Sequence, residues 1–211
     1  MKMGTSNLLK ELMVKYPQLS CCEADVEKAF EMLLATYQAE KKVLLCGNGG
    51  SASDCEHIVG ELMKCFKKKR PICGEMKEKL SKTQEGAILA EVLEGGLKAI
   101  SLTSHLSLST AFANDREPSA VFAQQAFVLG DEGDTLIAIS TSGNSKNCVY
   151  AATVAKAKGM KVLSMTGEKQ SALSQMSDVC ICVPEMETYK IQELHLPVYH
   201  CLCAMLENEL F

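Results

Sequence analysis

Three side chains within eight residues have the types and spacing for acid–base or metal chemistry. Asp54, His57 and Glu61 stand at positions i, i+3 and i+7 of a segment with helical apolar spacing, so all three project from one helix face. A glutamate and a histidine can act as base and acid when a proton moves between adjacent carbons. An exposed polar face is the alternative interpretation, which the glycine-rich turn just before this helix weakens.

A second group of such residues lies near the C-terminus. Gln192, Glu193, His195 and His200 fall within nine residues, an unusual density in a chain with four histidines. Gln192 and His195 are three residues apart and share a helix face, whereas His200 is offset from Gln192 by roughly 80° at ideal helical pitch. Pro197 either kinks this helix or marks the point where it restarts.

Across the two groups, two imidazoles, one carboxylate and one amide oxygen form a plausible ligand set for a divalent ion such as zinc. These four candidate ligands are His57, Glu61, Gln192 and His200. Spacing alone leaves open whether they converge. Without a metal, the glutamate and a histidine still supply an acid–base pair.

Two turns rich in glycine and serine each follow an apolar strand and open a helix. They occupy residues 46–51 (CGNGGS) and 140–145 (STSGNS). Glycines allow the backbone to approach a ligand closely, hydroxyls donate hydrogen bonds, and a helix N-terminus attracts an anion. Two such turns in one domain predict a phosphorylated substrate.

The elements that would position these residues alternate along the chain. Apolar runs of strand length occur at 42–46, 98–103, 134–140, 160–166 and 178–183, separated by segments with helical periodicity. This alternation predicts an α/β fold with a parallel sheet covered on both faces. Two further helices, broken near Pro17, are expected within residues 1–40. Residues 73–96, whose charges alternate in sign, are expected to form an inserted helical hairpin or lid, or a surface excursion without function.

Length and composition limit the classes of protein. A chain of 211 residues with 47% hydrophobic residues suits one domain, and its net charge of −4 argues against binding to nucleic acid or anionic membranes. The local basic run at 64–70 is interpreted as a solvated helix end. Eleven cysteines without a CxxC pair, and no secretory signal or membrane-spanning stretch, predict buried thiols in a cytoplasmic protein.

Three segments, CGNGGSASDCEH, STSGNS and IQELHLPVYH, together resemble the SIS (sugar isomerase) fold, and specifically the phosphoheptose isomerase family. The resemblance covers about residues 5 to 211 and is interrupted by the 73–96 segment. It implies a single SIS domain over 1–211, built as a three-layer αβα sandwich around a five-stranded parallel sheet. It also implies a homotetramer with active sites between subunits, and conversion of sedoheptulose 7-phosphate to an aldoheptose 7-phosphate through an enediol.

The resemblance also implies roles for individual residues. Glu61 would be the base that removes the proton between C1 and C2, and His200 its acid–base partner. The zinc ligands, one ion per subunit, would be His57, Glu61, Gln192 and His200. The substrate would contact Asn48, Gly49, Gly50, Ser51, Glu61, Asn114, Asp115, Ser140, Thr141, Ser142, Ser145 and Gln192, with the phosphate mainly on the 140–145 turn.

Two departures from the family pattern affect the choice of sugar more than the reaction. Cys65 stands where the family has an arginine, so some substrate binding would fall to Lys64 or Lys67 or be lost. Tyr189-Lys190 replaces the Asp-Arg of the family, which removes one carboxylate near the site. A rival hypothesis is a noncatalytic SIS tetramer, because the C-terminal segment also resembles the bacterial DnaA initiator-associating protein. That scaffold lacks the catalytic glutamate and the last histidine, whereas this chain has Glu61 and His200. A sugar-phosphate-sensing module fused to a DNA-binding domain would need a longer chain.

Overall fold

The fold is a five-stranded sheet with helices on both faces, seen in a computed structural model that describes residues 2–211. The strands, all parallel, are β1 (Val43–Gly47), β2 (Ala99–Ser101), β3 (Thr135–Ile139), β4 (Lys161–Thr166) and β5 (Val179–Cys182). Their order in the sheet is β2-β1-β3-β4-β5. The predicted three-layer α/β architecture is therefore confirmed.

Ten α-helices lie within the described residues. They are α1 (Met3–Lys15), α2 (Glu23–Gln38), α3 (Gly50–Met63), α4 (Gly74–Leu80), α5 (Gln84–Val92), α6 (Leu106–Asp115), α7 (Val121–Leu129), α8 (Lys146–Ala157), α9 (Ala172–Met176) and α10 (Thr188–Leu210). A 3₁₀ turn begins at Pro17 and separates α1 from α2, as the sequence predicted. The last helix continues through Pro197 without restarting, which resolves the alternative left open by the sequence.

The core has two halves because side chains of a strand alternate between the two faces of a sheet. Leu45, Ile137 and Leu163 point to the face covered by α1, α2, α3 and α10. Leu44 and Leu136 point to the opposite face, covered mainly by α7 and α8. Since α3 and α8 follow neighbouring strands yet pack on opposite faces, a crevice opens between β1 and β3 at the carboxyl edge of the sheet. In open α/β sheets, this switch in direction is where ligands bind.

The 73–96 segment forms α4 and α5, two short helices in contact with each other. Lys77 Nζ lies 2.9 Å from Glu91 Oε1 across the pair, and an isolated bridge between Pro71 and Glu94 closes its base. Thr83 caps α5 by accepting a hydrogen bond from the Gly86 amide. This is the expected helical hairpin; its action as a lid stays a prediction.

Candidate active site

A cleft of about 300 Å³ lies in the crevice between β1 and β3. Both glycine-serine turns border it, and its lining residues are Asn48, Gly49, Gly50, Ser51, Ile139, Ser140, Thr141, Ser145, Thr188 and Gln192. Eight of these were predicted from the sequence to contact substrate. The pairing of Gly47 with Ile139 in neighbouring strands explains why turns about 90 residues apart meet here.

The turn after β3 has the geometry of an anion cradle. Ser140 Oγ donates to Ser145 Oγ at 2.9 Å, and Gly143 has a φ of 64°, which glycine adopts without strain. The next residue after Ser145 begins α8, so free N–H groups of the helix start at the cleft. Ser142 lies at the edge of a neighbouring pocket instead of in the cleft itself.

The turn after β1 is joined to the start of α8, which follows the turn after β3, by a pair of amide hydrogen bonds. Asn48 Nδ2 donates to Asn147 Oδ1 at 2.9 Å, and Asn147 Nδ2 donates back to Asn48 Oδ1 at 2.7 Å. Gly49 has a φ of 55°, and a side chain on Gly50 would come within 2.7 Å of Gln192 Nε2. Glycine at position 50 therefore leaves room for the amide of Gln192 at the start of α3.

His57, Glu61 and His200 form a second cluster, where α3 packs against α10. His57 Nε2 lies 3.2 Å from Glu61 Oε1 and 3.5 Å from His200 Nε2. The Glu61 side chain is only 14% exposed, and Lys64 Nζ is 3.7 Å from its second oxygen. Burial lowers the pKa of His200, and the nearby His57 lowers it further, which favours a neutral imidazole able to accept a proton. The cluster thus places a carboxylate and a neutral imidazole within reach of one another.

A tyrosine and an aspartate form hydrogen bonds on the side of His57 that faces away from Glu61 and His200. The Tyr199 hydroxyl lies 3.0 Å from His57 Nδ1 and donates to Asp54 Oδ1 at 3.2 Å. Because the Tyr199 hydroxyl donates its hydrogen bond to Asp54, the Tyr199 oxygen accepts from His57 Nδ1–H, and Nε2 is the ring nitrogen that faces Glu61 and His200. Burial raises the pKa of both Asp54 and Tyr199. The aspartate predicted on the same helix face as His57 acts on that histidine through Tyr199.

The predicted zinc ligands are only partly brought together. The two distances from His57 Nε2 are close to the ~3.4 Å edge of a tetrahedron with bonds of about 2.1 Å. Gln192, however, lies against Gly50 in the cleft. Among residues 2–211, no three or more histidine, cysteine, aspartate and glutamate side chains are arranged to hold a metal ion as they stand. The zinc site therefore stays a prediction.

Two other groups of predicted residues lie apart from the cluster and the cleft. Asn114 and Asp115 end α6, where Asn114 Nδ2 donates to Asp115 Oδ1 at 2.9 Å on the exposed surface. His195 is fully buried, and its Nε2 donates to the Thr166 carbonyl at 3.2 Å. It is a core histidine, although its spacing from Gln192 suggested a shared site.

The structure also adds residues that the sequence did not indicate. Thr188 lines the cleft, and Phe66 lies with its ring 5.6 Å from the ring of His200. Phe66 and His200 border a separate pocket of about 410 Å³ between α1 and α10. Within one chain, His200 and the cleft between β1 and β3 thus face different cavities. Tyr199 immediately precedes His200 in the sequence, but the sequence gave no indication of its bonds to α3.

The basic run after α3 differs from its prediction. Its lysines are exposed, but Arg70 is 3% exposed and pairs with Glu207, which is 1% exposed. The run is not a solvated helix end, because α3 ends at Met63 and the chain returns to the core at Arg70.

Comparison with known proteins gives the class of this fold and site. Models of the SIS domain match residues 99–205 and 19–94. A phosphoheptose isomerase of Thiobacillus denitrificans is 38% identical over 186 residues, covering 87% of this chain and 82% of that protein. One of Helicobacter pylori is 38% identical over 183 residues, covering 87% and 83%.

The fold of this chain is similar to the solved structures of two phosphoheptose isomerases. A phosphoheptose isomerase from Francisella tularensis superposes with a TM-score of 0.76 at 29% identity, covering 96% of this chain and 95% of that one. The structure of the Neisseria gonorrhoeae enzyme gives a TM-score of 0.74 at 29% identity, with 96% of each chain covered. The chain carries an SIS domain. Within that class, it belongs to the phosphoheptose isomerase family.

Proposed function

We propose that this chain isomerises sedoheptulose 7-phosphate to a D-glycero-D-manno-heptose 7-phosphate. The observation that carries the proposal is the pairing of Glu61 and His200 around His57, in a chain with a cleft of the kind that binds phosphate. Family membership supports the same reaction class, because the curated relatives are phosphoheptose isomerases.

In the proposed reaction, the phosphate binds at the turn after β3 and at the start of α8. Glu61 removes a proton from C1 of the ketose, which leaves an enediolate with its charge on the C2 oxygen. The neutral imidazole of His200 then takes the hydroxyl proton from the C1 oxygen and gives it to the C2 oxygen. Glu61 returns its proton to C2, which leaves an aldehyde at C1. At the end of the reaction, Glu61 and His200 have returned to the protonation states in which they began.

Zinc remains part of the proposal through His57, Glu61, Gln192 and His200. When bound, the ion would polarise the oxygens on C1 and C2. Two imidazoles and a carboxylate suit zinc chemically, and Gln192 would have to turn from Gly50 toward the cluster.

We also propose that the active unit is a homotetramer with sites between subunits. His200 and the anion cleft face different cavities in one chain, so a neighbouring subunit could complete each site. The proposed setting is the cytoplasm, where eleven free thiols would stay reduced. No helix among residues 2–211 is long and apolar enough to cross a membrane.

The test is conversion of sedoheptulose 7-phosphate by the purified protein, with and without added zinc. Glu61→Gln should reduce turnover by about 10²–10⁴-fold, because it removes the base but keeps the side-chain size. Glu56→Gln, an exposed carboxylate on the same helix, is the matched control and should retain activity. Wild-type protein that converts no ketose phosphate under either condition, but captures a replication initiator protein, would support the scaffold hypothesis instead.

A further inference from the structure

The Arg70–Glu207 pair is a buried ion pair outside the residues assigned to substrate or metal. Arg70 Nε donates to Glu207 Oε1 at 2.8 Å, and both side chains are almost fully removed from solvent. Burying two charges is costly unless further hydrogen bonds satisfy them. The further hydrogen bonds of Arg70 and Glu207 all go to the backbone of α3 and of the segment that follows it.

Glu207 holds the segment that leaves α3. Its carboxylate accepts the amide N–H groups of Phe66 at 2.9 Å, Lys67 at 2.7 Å and Lys68 at 3.0 Å. The Phe66 ring lies 5.6 Å from that of His200, which stands two helical turns before Glu207 on α10. This carboxylate therefore fixes the aromatic contact on one side of His200.

Arg70 holds the last turn of α3. Its Nη1 donates to the Leu62 carbonyl at 2.9 Å and its Nη2 to the Glu61 carbonyl at 3.4 Å. The final carbonyls of a helix have no partner within the helix, so the guanidinium satisfies them. The backbone of Glu61 is thereby fastened to α10 through Glu207.

We infer that Arg70 and Glu207 are positioning residues that set the separation of Glu61 and His200 for proton transfer. The inference rests on the proposed isomerase function. Arg70 binds the backbone carbonyl of Glu61, and Glu207 binds the backbone of Phe66, whose ring contacts His200. Neither charged group contacts the proposed substrate cleft. Small errors in the placement of reacting groups lower the rate by up to about 10²-fold, so loss of this ion pair would lower kcat.

The matched comparison uses a second buried carboxylate at the amino edge of the sheet. Asp134 is 1% exposed and accepts the amides of Lys42 at 3.0 Å and Asp131 at 2.8 Å, with Lys42 Nζ at 2.6 Å. Glu207→Gln and Asp134→Asn each neutralise such a carboxylate with little change in size. Both should lower the melting temperature. Only Glu207→Gln should lower kcat, by about 10 to 100-fold, with KM changed less than about threefold.

Arg70→Lys covers the case in which Glu207→Gln fails to fold. Lysine keeps a positive charge beside Glu207 but loses the planar fork that reaches two carbonyls. It should lower kcat with a smaller loss of melting temperature. Wild-type kcat in folded Glu207→Gln or Arg70→Lys, or an equal kcat loss in Asp134→Asn, would overturn the inference.

A readout independent of turnover separates this inference from the proposed function. The four histidines allow their imidazole resonances to be assigned by single substitution and followed by NMR. The His57 and His200 resonances should shift in Glu207→Gln and stay in place in Asp134→Asn. Inactive wild-type protein would refute the isomerase proposal, while unshifted His57 and His200 resonances would refute the positioning role even in an active enzyme.

Discussion

At the scale of single residues, contacts fix which atoms of a side chain face the rest of the candidate site. His57 is oriented by Tyr199 and has Glu61 and His200 at its other nitrogen. His195 lies on the same helix as His200, yet packs in the core against the Thr166 carbonyl. The same residue type thus lies in a polar cluster at one position and packs in the core at another, according to what surrounds it.

Tyr199→Phe should lower kcat by about 10 to 100-fold, because His57 loses the oxygen that accepts its Nδ1–H. The measurement is steady-state turnover of the ketose phosphate, accompanied by the zinc content of the purified protein. Tyr37→Phe is the matched control, since the buried Tyr37 hydroxyl has no hydrogen-bond partner among residues 2–211. Equal effects of the two substitutions would contradict the role of Tyr199.

His195 should make the protein less stable in mild acid. Burial lowers its pKa from 6.5 to about 4, so the unfolded chain binds a proton between these values that the folded chain does not. Stability is fully present above pH 6.5 and falls as the pH drops toward 4, by up to about 3 kcal/mol. Denaturant unfolding at a series of pH values measures this slope. His195→Gln should flatten it, and an unchanged slope would exclude His195 as its source.

At the scale of secondary structure, two helices carry the cluster of His57, Glu61 and His200, and two turns form the cleft. α3 begins in the cleft at Gly50 and carries His57 and Glu61 toward α10. α10 begins beside the cleft and, two turns beyond Gln192, presents His200. Both helices pack on the same face of the sheet, so the distance between Glu61 and His200 depends on how the two helices pack.

Gly50→Ala should raise KM for the sugar phosphate several-fold with little loss of stability. The added methyl group would meet the Gln192 amide at 2.7 Å, and this flexible side chain can move away from the cleft. Gly60→Ala on the same helix is the matched control, because a methyl group there meets nothing within 4 Å. It should leave KM unchanged and stabilise the helix by about 0.5–1 kcal/mol. Unchanged KM in Gly50→Ala would show that the position of Gln192 is not limiting.

At the scale of the whole molecule, the single chain keeps its proposed functional parts in separate cavities. The anion cleft opens at the carboxyl edge of the sheet, and His200 borders the pocket between α1 and α10. A site assembled between subunits would unite them, which connects activity to assembly.

Sedimentation of the 22.9 kDa chain should therefore show a species of about four chains, and activity per chain should fall when dilution dissociates it. The measurement pairs analytical ultracentrifugation with turnover over the same concentration range. A fully active monomer would contradict the shared-site proposal.

The five strands, the break at Pro17 and the two glycine-serine turns could all be predicted from the amino-acid sequence. These features depend on local apolar periodicity and on glycine, proline and serine at fixed positions, which neighbouring residues encode. Eight of the predicted substrate residues line one cleft because turns after adjacent parallel strands must meet at the same edge.

The meeting of polar residues that are distant in the chain could not be predicted from the sequence, because it depends on how the helices pack. Tyr199 reaches His57 over 142 positions and Glu207 reaches Arg70 over 137, because both contacts arise where α10 packs against α3 and the segment after it. The same packing buried His195 and Arg70, which the sequence pattern had placed in a site and on the surface. Local periodicity gives the face of a helix, whereas the neighbour that this face meets is fixed by the packing of the whole core.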